Sequence, residues 1–230
     1  MTEHDVPASL LTQVRANLEP VKPLASPSRR VVSLFPLALV LFLGPPIYYE
    51  WRENFSQLPS WASWGLSALE SLGGIALMAL ALRQAVPGLA VQSRSMFSAL
   101  AAGALLFTCV SLMTANVLPT PLHNPSAWSR LAWECIVMEL LFAIPSLAIS
   151  AWLVARALPT RPALTGAAYG LAVGLMTDAG VRLFCWIDQP LHVFAGHGGA
   201  MLIGTLGGAL TAAIIERVKY RRLFQRSTVS

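Results

Sequence analysis

The chain has 230 residues, of which 55% belong to the hydrophobic set and only 12% are charged, with a formal net charge of +5. A water-soluble domain carries about a quarter charged residues, so this composition excludes a soluble one- or two-domain enzyme and equally a disordered or fibrous chain, and leaves an integral membrane protein. The basic excess sits at the chain ends and between apolar blocks, which is no nucleic-acid footprint, and three cysteines without a C-x-x-C pair exclude a disulfide-stapled mini-domain and the common zinc modules.

Residues 1–30 are polar, with Pro7, Pro20, Pro23 and Pro27 and the basic Arg15, Lys22, Arg29 and Arg30. A secretory signal would place its apolar core inside this stretch, so it reads as a retained tail outside the bilayer. Within it Leu10, Leu11, Val14, Leu18 and Val21 recur at three- and four-residue steps, which puts an apolar stripe on one face of a short helix. Ser9 or Asp5 could cap that helix and Pro20 would stop it. The stripe suits either a helix lying on the membrane surface or a docking helix for a partner protein.

Six apolar blocks follow, over 31–49, 62–82, 95–117, 131–155, 162–184 and 191–215. Each approaches the 20 or so residues that a spanning helix needs. Gly44-Pro45-Pro46 is expected to break the first near its end. The blocks are too long and too uniformly apolar for barrel strands, and in hydrocarbon only helices and closed barrels satisfy their own backbone. The expected fold is therefore an all-α integral membrane bundle of six transmembrane helices, followed by a basic tail over 217–230.

Basic residues stay on the cytoplasmic side. Thirteen Lys and Arg fall in the two termini and in the second and fourth connections, against Arg52, Arg130 and Arg182 on the other side, so both termini are expected in the cytoplasm. Trp51, Trp61, Trp64, Trp128, Trp133 and Trp186 then cluster at the opposite interface. Gly166, Gly170 and Gly174 at four-residue steps, with Gly204, Gly207 and Gly208, mark a close helix–helix contact.

This orientation brings Cys135 and Cys185 to similar depth near the outer face, fifty residues apart in sequence. Glu70, Glu134, Glu139, Asp178, Asp188, His192 and His197 gather in the same half. Thiolates and imidazoles are soft or borderline ligands, so Cys135 and Cys185, with Glu139, His192 and His197 as further candidates, form a metal-site hypothesis for transient binding of a thiophilic heavy-metal ion; no resident cofactor is required. The cysteine pair is also compatible with an oxidant sensor, with a disulfide on an oxidising face, or with packing. Asp178 and Arg182 are spaced to pair at i,i+4, and Cys109, inside an apolar run, reads as a small packing residue. No metalloprotease, Walker, nucleophile-elbow or dinucleotide motif is present, so no enzyme is expected. The remaining alternative from composition is a small cation or weak-acid transporter working through Glu70, Glu139 and Asp178.

Several stretches carry a resemblance. They are Leu18-Glu19-Pro20-Val21-Lys22-Pro23-Leu24 with Arg29-Arg30; Trp133-Glu134-Cys135 followed by Pro145; Arg156-Ala157-Leu158-Pro159-Thr160-Arg161-Pro162 running into Gly166, Tyr169-Gly170 and Gly174; and Phe184-Cys185 with Pro190 and the stretch from Phe194 to His197. In this order the chain resembles the NrsF-type family of bacterial six-helix anti-sigma factors, the negative regulators of sigma-F. The resemblance implies a multi-pass protein of the bacterial inner membrane that holds an extracytoplasmic-function sigma factor away from RNA polymerase, through its cytoplasmic tail and without touching nucleic acid. It further implies that Cys135 and Cys185 take part in a response to heavy-metal stress. The family's Tyr-x-x-His-Cys run reads Val181-Arg182-Leu183-Phe184-Cys185 here, which leaves His192 and His197 as the histidines available to such a site.

Overall fold

The computed structural model describes Thr12, Ala16 and residues 25–52, 55–86, 88–117, 125–157 and 159–227, with the side chains of 125–130, 220 and 222–227 left aside. The docking-stripe positions Leu10, Leu11, Val14, Leu18 and Val21 lie outside the described residues.

The described residues form helices and no strand. In chain order these are α1 (Pro27–Val32), α2 (Phe35–Tyr49), α3 (Leu66–Gln84, entered through a π-turn at Trp61–Gly65), α4 (Ser93–Val117), α5 (Pro125–Ala155), α6 (Pro162–Val181), α7 (Pro190–Ala195) and α8 (His197–Ser227). Five stretches are long and apolar enough to cross a membrane: Pro27–Tyr49, Trp61–Gln84, Ser93–Val117, Leu131–Ala155 and Pro190–Lys219. Their outward faces carry Leu39, Leu72, Leu105, Leu141, Leu206 and Leu210 in the open, a surface suited to lipid and not to water.

The sixth, α6, differs. It is buried from Ala168 to Val181 without a gap, and it packs most extensively against α8 and α3. A helix enclosed by others needs small residues more than apolar ones, because lipid never touches it. Its glycines show this. A Cβ on Gly166 would strike the Gly208 backbone, and one on Gly170 would lie 2.8 Å from Thr205 Cα and closer still to the Gly204 carbonyl. Tyr169 Oη donates to Gly208 O at 3.1 Å across the same seam. The expected glycine contact is thus the α6–α8 interface, although Gly207 stands outside it, with open space where its Cβ would be.

The structure corrects four expectations. The helix runs through Pro45 and Pro46 to Tyr49 instead of breaking at Gly44. Each proline lacks the N–H that would bond the carbonyl four residues earlier, which frees Leu41 O and Phe42 O. Gly180 of α6 packs on these same two carbonyls, with its Cβ position 2.9 Å from Phe42 O, so neighbouring backbone covers the freed groups. The fifth block ends at Val181 and not 184, and three residues of turn carry the chain to Cys185. The sixth block is two helices joined at Gly196, whose Cβ would crowd His192 O and Ala132 O, and its second helix continues past 215 to Ser227, into the basic stretch over 217–230. Cys109 is exposed on the outer face of α4 and not packed inside; its neighbours Phe107 and Val110 are the ones that turn inward.

Candidate functional site

Residues four apart on a helix share a face, and α5 buries Cys135 and Glu139 on one such face. Asp178 lies one turn before the end of α6. The turn that follows is closed by Arg182 N donating to Asp178 O at 2.9 Å and Cys185 N donating to Val181 O at 2.8 Å, which folds Cys185 back under the helix end. An extended stretch leads to Pro190, which opens α7 and sets His192 into its first turn. After Gly196, His197 opens α8.

These four segments converge. One ligand atom from each of Cys135, Cys185, His192 and His197 lies within 4.8 Å of the others, and all four residues are buried. Nε2 of His192 is 3.3 Å from Cys135 Sγ and 3.7 Å from Cys185 Sγ. Both cysteines are free thiols. Glu139, Asp178 and His197 form an adjoining group that shares His197: Nδ1 of its ring is 2.6 Å from Asp178 Oδ1 and 3.0 Å from Glu139 Oε1.

Behind them is a charged layer. Arg182 Nε lies 2.8 Å from Asp178 Oδ2 and 2.9 Å from Glu70 Oε2, and its Nη2 donates to Ser111 Oγ at 2.6 Å. Charges taken out of water must be paired and hydrogen-bonded. Here one guanidinium ties α3, α4 and α6 together. Arg52, equally buried, grips Asp188 through two bonds of 3.2 and 2.5 Å, a bidentate pair. Burial raises the Asp188 carboxyl above its usual range, against the opposing pull of Arg52.

Every candidate metal ligand named from the sequence therefore falls in one cluster, with Glu139 one step behind the thiols. Glu134 does not join it and points outward. The i,i+4 pair of Asp178 and Arg182 is present. Sequence reading missed the partners that come from far along the chain, Glu70 and Ser111 for Arg182 and Arg52 for Asp188; three arginines on the sparsely basic side were the signal that each needed an acid.

The opposite end of the bundle is built otherwise. The last carbonyls of α5 have no partner within their own helix. Arg30 of α1 donates through Nη2 to Leu153 O, and Lys219 of α8 donates through Nζ to Ala155 O and, at 3.5 Å, to Ala157 O. Cations are stabilised at a helix C-terminus by the backbone dipoles. Arg161 completes this end by donating to Val91 O at 3.0 Å.

Apolar outer faces and an enclosed central helix define a helical membrane protein, with a thiol–imidazole cluster buried among its helices. The family model for NrsF, negative regulator of sigma F, matches residues 15–217, and the chain belongs to that family. It is accordingly an anti-sigma factor, one of a family of regulators and not of enzymes, and its partner is a sigma factor. No curated protein and no solved structure matches the chain.

Proposed function

We propose that the protein holds an extracytoplasmic-function sigma factor at the bacterial inner membrane, and releases it when heavy-metal or oxidative stress reaches Cys135 and Cys185 near the periplasmic face. In this reading six helices cross the membrane and both termini face the cytoplasm. The tail stripe of Leu10, Leu11, Val14, Leu18 and Val21 is the docking segment. The observation that carries the reading is the meeting of two thiols, fifty residues apart in sequence, in one buried cluster.

The supporting arrangement is α5. It bears Cys135 and Glu139 towards one end, and at the other its terminal carbonyls hold Arg30 and Lys219. Arg30 stands nine residues after Val21, the last residue of the docking stripe. Drawing the two thiols together, by a shared metal ion or by a peroxide that oxidises both to a disulfide and is itself reduced to water, shifts α5 and loosens that grip. A ligand moves such an equilibrium only by its difference in affinity for the two states, with about 1.4 kcal/mol giving a tenfold change. The transporter reading loses support, because Glu70 and Asp178 are held by Arg182, and Glu139 by His197.

Two experiments test this. A sigma factor co-purifies with the wild-type protein and is lost when Leu10, Leu11 and Val14 are changed to Asp; equal recovery from both removes the docking claim. Changing Cys135 and Cys185 to Ser abolishes the induction of sigma-dependent reporter genes by metal; an unchanged dose response removes the sensing claim.

A further inference from the structure

We infer that Cys135, Cys185, His192 and His197 together form a four-coordinate Cys2His2 site for a divalent cation of the zinc and cadmium class, with His197 held in its ligating orientation by Glu139 and Asp178. This rests on the thiol-sensing reading and adds to it the ligand set and the kind of ion.

Three observations carry it. The first is spacing. Bond lengths of 2.3 Å to sulfur and about 2.05 Å to nitrogen at tetrahedral angles put neighbouring S and N donors about 3.6 Å apart. His192 Nε2 stands 3.3 and 3.7 Å from the two sulfurs, so these two edges already match a tetrahedral site, and all four ligand atoms lie within 4.8 Å of one another. The second is unused valence. His197 Nε2 and His192 Nδ1 are buried and make no hydrogen bond among the described residues, although a buried polar atom ordinarily has a partner. Because Nδ1 of His197 faces Asp178 and Glu139, Nε2 is the nitrogen left to bind. The third is that carboxylate contact itself. A ligating histidine characteristically gives its other N–H to a carboxylate, which fixes the tautomer and raises the basicity of the ligand. Here two carboxylates take that place, and Arg182 anchors one of them.

Charge agrees. Two thiols lose their protons to water as the ion binds, and two thiolates with two neutral imidazoles then cancel a dication. The filled site is neutral, which suits a buried place. Its ligands come from α5, the α6–α7 connection, α7 and α8, so the ion would close four segments of chain on one point. A linear, two-coordinate ion would need only the sulfurs, and this separates the two classes.

The test uses the full-length protein in detergent with Cd2+ and Co2+ as probes. Wild type is expected to take one ion per chain, with a thiolate-to-metal absorption band and, for Co2+, the intense visible bands of a tetrahedral site. His192→Gln and His197→Gln each keep the thiolate band but weaken binding by more than tenfold and lose the tetrahedral Co2+ signature. Glu139→Gln, which retains a hydrogen-bonding side chain and the fold, weakens binding about tenfold through His197. Wild-type affinity and spectra in both histidine variants overturn the four-ligand site and leave a two-thiol sensor standing. Wild-type binding in Cys135→Ser with Cys185→Ser overturns both readings together.

Discussion

The two ends of the bundle hold their charges in opposite ways. At the thiol end, acids and imidazoles face one another in a closed interior: Arg182 between Asp178 and Glu70, His197 between Asp178 and Glu139. At the basic end, cations meet chiefly backbone, with Arg30 and Lys219 on the last carbonyls of α5 and Glu216 Oε2 only at 3.9 Å from Lys219 Nζ. The first arrangement is rigid and specific, because removing one member strands the others in a medium that cannot solvate them. The second is a set of replaceable hydrogen bonds at a helix end, the kind of contact a modest shift of that helix can open. In the proposed function detection belongs to the first end and release to the second, with α5 common to both.

The comparison can be broken at several points. The largest effect is expected from Arg182→Leu, which leaves Glu70 and Asp178 facing each other without a cation. A loss of about 3–5 kcal/mol follows from breaking a buried pair, read as a collapse of the thermal transition in detergent. Gly170→Leu comes next. Its Cβ would enter the Gly204 backbone, and overpacking of this kind costs about 1–3 kcal/mol or more; thermal unfolding should show it, and both ends should suffer alike because α6 and α8 support each. Arg30→Gln sharpens the comparison instead. Losing a charged hydrogen bond to Leu153 O costs about 1.5–3 kcal/mol, and it should raise basal sigma-dependent transcription in a reporter assay while leaving cadmium affinity at the wild-type value. If cadmium affinity falls with it, the ends are not separable. Cys109→Ser should change neither stability nor metal response, since its side chain lies on the outer face; a lost metal response there would move the sensing site elsewhere.

Much of this was legible in the sequence, for identifiable reasons. Apolar block length finds the long helices, although the last of them continues past its block to Ser227. The four-residue glycine repeat locates the α6–α8 seam because only small side chains permit that approach. Spacing along α5, with the depth of Cys185 and the histidines after it, collects the candidate ligands on one side. What composition could not give was covering by distant backbone. Pro45 and Pro46 look like a stop signal because the sequence does not show that Gly180 will lie over the freed carbonyls. The enclosure of α6 was equally hidden, since a run of small and apolar residues reads the same whether it faces lipid or neighbouring helices. The pairings of Arg182 with Glu70 and of Arg30 with Leu153 span more than a hundred residues, beyond the reach of any local periodicity.

The central claim is that a thiol event at one end releases a partner held at the other. The direct measurement is release of bound sigma factor from the full-length protein in lipid nanodiscs on addition of Cd2+. The account predicts release from the wild type and full retention by the protein with Cys135 and Cys185 changed to Ser. Retention by both, or release from both, would contradict it.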